Sequence, residues 1–145
     1  MIARSVVIQR SPDEVFAYLD DLEAHHEWQG QVVSANVLTE GPTRSGTEVE
    51  ETRSIGGREV RMRWRVTDHD AQSRRSAFET IESSMMKPSG AIEVAPAGEH
   101  SEVTFSIEPN PVGFGRLLAP LMKRQVAKQV DVDLAALKRR LEPGS

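Results

Sequence analysis

Two adjacent glycines, Gly56 and Gly57, stand between two stretches in which polar and apolar residues alternate, and no other feature restricts the fold so tightly. A two-residue glycine loop between such stretches predicts a tight β-hairpin, which fixes the residues that face each other. Glu50 then faces Arg63 and Glu48 faces Arg65 on one side of the ribbon. On the other, Val49 meets Trp64, Glu51 meets Met62 and Arg53 meets Val60. A slip of one residue would turn Val49, Met62 and Trp64 to solvent, so burial itself specifies the register. The first face reads as a ladder of opposite charges, each pair worth about 0.2–1 kcal/mol. The second carries Val49, Ile55, Val60, Met62, Trp64 and Val66 and has to be covered. Glu51 and Arg53 interrupt it, and charged groups are rarely buried unless paired.

The same punctuation extends outward from the hairpin. Between Val32 and Ile107, strand-like segments are broken at Gly41-Pro42, Gly56-Gly57, Asp70 to Ser73, Pro88 and Ala97 to His100, the spacing of an antiparallel meander of about six strands. Ahead of it, residues 2–10 read as a strand. Ser11-Pro12-Asp13-Glu14 then supplies a capping serine, a proline at the first helical position and a glutamate three residues after the cap. Val15, Phe16 and Leu19 form the stripe of that helix, and a short second turn from Leu22 to His26 delivers Trp28. After Pro111 the period becomes helical again, with Phe114, Leu117, Leu118, Leu121, Met122, Val126, Val130, Leu134, Leu137 and Leu141. This predicts one long helix from about Val112 to Leu141, kinked or started by Pro120. There is no repeat, and the Pro/Gly cluster Pro109 to Gly115 joins two structured segments, so residues 1–145 are expected to form a single domain.

Absences narrow the chemistry. The 145 residues include no cysteine, which excludes thiol catalysis, Cys-ligated zinc and Fe–S clusters. The N-terminus shows no signal-like apolar run, and nowhere do about 18 apolar residues follow one another, so a cytoplasmic protein without stable membrane insertion is expected. The net charge of −4 hides an asymmetry, with residues 113–145 at +4 and the rest at −8. We read the basic tail as a solvated helix face lying over an acidic sheet, and expect no nucleic-acid partner. No phosphate-binding glycine loop is present. His25, His26, His69 and His100 fall at a helix end and in turns without an i, i+4 pair, so they read as surface histidines and neither metal nor other cofactor is expected. No serine occupies a nucleophile-elbow context.

What remains is Glu51 and Arg53, two residues apart on the inner face beside Met62 and Trp64. They are either an internal ion pair or a device to orient a polar substrate group and stabilise charge in a cyclisation or dehydration. On the closing helix Leu118, Met122, Gln125, Val126 and Gln129 fall within roughly 100° of arc, where the two glutamines are either cavity polar groups or helix-surface residues. Methionines 62, 85, 86 and 122 read as core filler that would also suit a cavity accepting varied ligands.

The order of elements, together with Ser11-Pro12-Asp13-Glu14-Val15-Phe16, Trp28, Gly41-Pro42 then Gly46-Thr47, Trp64-Arg65-Val66 with Asp68, and Leu134 to Glu142, resembles the START-like helix-grip superfamily, in its polyketide cyclase/dehydrase (SRPBCC) branch. The departure is Gly98-Glu99-His100-Ser101, where that family often shows Gly-Gly-Thr. The resemblance implies an α+β helix-grip fold: a curved antiparallel sheet of about seven strands, two short N-terminal helices and a long C-terminal helix across the concave face. It also implies a cavity between sheet and helix for a hydrophobic or aromatic small molecule. The expected ligand-binding residues are Trp28, Glu51, Arg53, Met62, Trp64, Phe78, Phe105, Leu118, Met122 and Gln125, in a monomer or homodimer. Binding stands first. A cyclase or dehydratase that uses the cavity's polar groups, and a protein-interaction module like the superfamily's chaperone-activator and ribosome-associated branches, are the alternatives.

Overall fold

The computed structural model describes residues 1–84 and 86–142. Seven strands form one antiparallel sheet: β1 (Ile2–Ile8), β2 (Val32–Val37), β3 (Glu48–Ile55), β4 (Arg58–Asp70), β5 (Arg75–Glu82), β6 (Ser89–Ala97) and β7 (His100–Glu108). Their spatial order is β1-β7-β6-β5-β4-β3-β2, so the meander runs in sequence and its last strand returns to pair with the first. Helix α1 (Pro12–Asp20) and a 3-10 segment, Leu22–Glu27, fill the connection between β1 and β2. Helix α2 (Ala119–Leu141) closes the chain over the curled sheet. This is the helix-grip, START-like architecture expected above.

Local chemistry explains the boundaries. Ser11 caps α1, its hydroxyl accepting from the Glu14 backbone N–H at 3.3 Å and donating to Glu14 Oε1 at 3.0 Å, with Pro12 opening the helix. Gly56 and Gly57 take φ of 59° and 81°, left-handed at both central positions as the hairpin turn requires. The strand pairing places Glu48 opposite Arg65, Val49 opposite Trp64, Glu50 opposite Arg63 and Glu51 opposite Met62. Gly98 and Glu99 form a similarly tight turn between paired Ala97 and His100.

Several expectations are corrected. The first strand stops at Ile8, and the closing helix begins at Ala119 rather than near Val112. Gly113–Leu118 is a separate 3-10 segment, and Pro120 lies in the first helical turn, where its missing N–H costs nothing. Phe114 and Leu117, counted above in the apolar stripe, are exposed. The arginines of the charge ladder turn toward β5 instead of β3. Arg65 pairs with Glu79, and Arg63 with Glu82 at 3.0 Å, leaving Glu48 at 3.9 Å from Arg63. Strand β5 sets Glu79 and Glu82 directly opposite these arginines, so both neighbouring strands compete for the same guanidinium groups. Nor do the tail's cations reach the sheet's carboxylates: among residues 113–142, Lys138 pairs with Glu142 and Arg140 with Glu27 of the 3-10 segment.

Most of the buried apolar residues fall into two groups. The larger joins Ile8, Val15, Phe16, Leu19, Trp28, Val94 and Val103 to Val130, Leu134 and Leu137 of α2. The smaller joins Leu22, Val32, Ala35, Val49, Trp64 and Val66. Only the C-terminal half of α2 contributes buried residues; its first half lies over a space between the groups. The far end of α2 is tied to β1 by Lys138 Nζ donating to the Val7 carbonyl at 2.6 Å, and to the segment just after β1 by Arg10 Nε donating to the Leu141 carbonyl at 2.7 Å.

Candidate functional site: a cavity under the closing helix

The space is a cavity of about 840 Å³. All ten residues expected to bind a ligand, Trp28, Glu51, Arg53, Met62, Trp64, Phe78, Phe105, Leu118, Met122 and Gln125, lie along its wall, together with Val126 and Gln129 of the helical arc. Met86 joins them; Met85 lies outside the described residues. Exposed members, Arg58, Glu59 and Arg61 at the tip of the β3–β4 hairpin and Leu118, Leu121 and Gln125 about the start of α2, mark a rim. Most of the wall is aliphatic or aromatic, because alternating positions of β3, β4 and β5 aim inward beneath the helix.

One part of this wall holds a hydrogen-bonded cluster of polar groups. Glu51, only 3% exposed, accepts from Arg53 Nε at 2.7 Å. The same guanidinium donates to Gln29 Oε1 and, at 3.4 Å, to Gln31 Oε1. Beside it, Asp133 Oδ1 accepts from the Gly30 backbone N–H at 3.0 Å and from Gln129 Nε2 at 2.8 Å. Burial raises the Asp133 carboxyl above its ordinary value, while these two hydrogen bonds and the positive charge of Arg53 act against the rise. Three elements thus converge on one polar cluster: the 29–31 loop, β3 and α2. Glu51 and Arg53 form an internal ion pair set in the cavity wall.

His25 corrects the reading of the histidines. It lines the cavity, its ring stacked on Trp64 with 6.3 Å between centroids and set edge-on to Trp28 at 5.5 Å. Burial pushes its pKa below the ordinary value. Nε2 lies 3.0 Å from the Leu19 carbonyl, which can only accept, so Nε2 carries the proton and the neutral ring offers Nδ1 as an acceptor. His69 sits within β4, not in a turn, and its Nε2 meets Asp20 at 2.9 Å. No group of three or more His, Cys, Asp or Glu able to hold a metal occurs among the described residues. The carboxyl and imidazole groups along the wall are those of Asp20, His25, Glu51, Glu59 and Asp133. The indole N–H of Trp28 is buried without a hydrogen-bond partner among the described residues.

The sequence reading missed His25, Gln29, Gln31 and Asp133. Asp133 had a signal: it falls on the apolar stripe of Val126, Val130 and Leu137, where a carboxylate needs a partner. His25 stands one helical turn before Trp28, but which way a ring at a helix end points is set by tertiary packing.

A curled seven-stranded sheet gripping a C-terminal helix around an apolar cavity defines a START-like protein. Residues 2–142 match the family described as polyketide cyclase/dehydrase and lipid transport, and the chain belongs to that family. Among solved structures, TTHA0849 from Thermus thermophilus superposes with a TM-score of 0.83 at 22% identity, over 97% of this chain and 95% of that one. The Zhui aromatase/cyclase from Streptomyces sp. R1128 gives 0.83 at 16% identity, over 99% and 96%. The ginseng major latex-like protein 151 from Panax ginseng gives 0.77 at 12% identity, over 98% and 97%. At these identities the likeness is one of fold. No curated protein sequence matches the chain.

Proposed function

We propose that the protein binds a hydrophobic or aromatic small molecule in the cavity between sheet and α2, with the Glu51–Arg53 cluster holding a polar group of that ligand. The observation that carries this reading is the cavity itself. Its volume of about 840 Å³ falls within the range of about 300–1,000 Å³ typical of small-molecule sites, and its wall is mostly apolar, with one hydrogen-bonded polar cluster set into it. An apolar body with one polar end is the ligand shape that such a wall complements. A filled interior would instead have argued for an interaction module.

Both tryptophans of the chain, Trp28 and Trp64, line the cavity, so occupancy is readable in their emission. Titration with anilinonaphthalene sulfonate and with a series of polycyclic phenols is expected to quench or shift tryptophan fluorescence saturably. Native mass spectrometry of the purified protein is expected to show a retained small molecule. Absence of both signals would refute the reading. One observation favours a cyclase or dehydratase as the second reading, the acceptor nitrogen of His25 within the same wall as the Glu51 carboxylate. Turnover of a bound poly-β-ketone substrate that disappears in His25→Phe, while ligand quenching persists, is the result that would establish it.

A further inference from the structure

The 3-10 segment Gly113–Leu118 carries two of the most exposed large apolar side chains of the protein, Phe114 at 83% and Leu117 at 80%. Residues three apart on a 3-10 turn lie over each other, so these two project together. Leu118 and Leu121 continue the apolar surface and also border the cavity rim. The charge of this stretch is equally distinctive. No acidic residue stands between Glu108 and Asp131, whereas Arg116, Lys123, Arg124 and Lys128 all do, in a chain whose net charge is −4. All four are exposed, and none forms an ion pair among the described residues. On the helix Arg124 and Lys128 follow Leu121 at i+3 and i+7, which puts apolar and cationic side chains on one outward face.

We propose that this face docks peripherally on an anionic lipid bilayer, with the cavity rim at the contact. Protruding apolar tips beside unpaired cations match a bilayer surface, where acyl chains accommodate isolated side chains and anionic headgroups meet the cations. A protein partner would need a groove for these tips or a groove here for its own helix, and side chains this exposed form a projection instead. No helix of the described residues is long and apolar enough to cross a membrane, so the association envisaged is superficial. Docking stands independently of what the cavity holds, although it would bring the rim to the medium in which apolar molecules dissolve.

Flotation with vesicles of phosphatidylcholine alone, and of phosphatidylcholine mixed with phosphatidylserine, tests the proposal. Wild-type protein is expected to float with the mixed vesicles and to be released by added salt. The F114S/L117S variant should partition at least about tenfold more weakly, since two large apolar side chains no longer enter the boundary. K123E/R124E should lose the preference for the anionic composition, and Val132→Ser, an exposed apolar position elsewhere on α2, should behave as wild type. Unchanged thermal unfolding and unchanged quenching by anilinonaphthalene sulfonate in F114S/L117S would show that fold and cavity are intact. Equal flotation of wild type and F114S/L117S overturns the proposal. So does failure of the wild type to float with either composition, which would hand the face to a protein partner.

Discussion

Glu51 is a carboxylate almost wholly removed from solvent, and its charge is tolerable because Arg53 Nε stands 2.7 Å away. Removing one member of such a pair strands the other, so Arg53→Met is expected to cost about 3 kcal/mol of stability in denaturant unfolding. The double variant E51Q/R53M should recover most of that loss, which separates pairing from packing. Trp64 touches His25 and Phe78 but opens onto the cavity, so Trp64→Ala should cost about 2 kcal/mol, below the ~3–5 kcal/mol of a fully packed indole. His25 adds a pH dependence. Burial holds its folded-state pKa below the ordinary 6.5, so as pH falls the unfolded chain takes up the proton first. The stability contributed by the neutral ring is complete above that value and is lost progressively below it, until the lowered folded pKa is passed. Unfolding midpoints measured from about pH 7 to about pH 5 should therefore fall less in His25→Gln than in the wild type.

At the level of elements, what could be read in advance follows the range of the interaction. The β3–β4 hairpin was legible to single residues because two glycines fix its turn and alternation fixes its faces. The start of α1 was legible because a capping box is contained within four residues. The β4–β5 pairing was not, since register shifts at Arg63/Trp64 and Val66/Asp68 follow from the bend of the sheet, and with it went the true partners of the arginines. The Gly30–Asp133 and Arg53–Gln29 bonds join segments distant in the chain, and no local pattern announces them. One glycine gained its meaning only from the fold. A Cβ at Gly90 would lie 2.2 Å from the Ser106 carbonyl oxygen and 3.2 Å from Phe78, so β6 approaches β7 there as only glycine allows. Gly90→Ala is expected to destabilise by about 1–3 kcal/mol in chemical unfolding, because backbone must shift to admit the methyl group.

For the molecule as a whole, an open interior means that stability and occupancy are coupled. A ligand at about 100 times its Kd should add about 2.7 kcal/mol to unfolding stability, visible as a rise in the thermal midpoint. Met122→Trp, which enlarges a side chain bordering the cavity, should leave the unliganded midpoint close to wild type and abolish most of that rise. The route to this interior also has an order in time. Ile2 pairs with Ile107 and Ile8 with Ser101, so the first strand finds its place only after the last has been made. Contacts of such sequence separation pay their loop-closure entropy before any reward and slow folding. On a ribosome, β2 to β5 can already pair as neighbours while β1 waits, and α2, the roof of the cavity, emerges after all seven strands. The cavity therefore gains its roof only after every strand of the sheet has been made, and until β7 exists β1 has no strand to pair with.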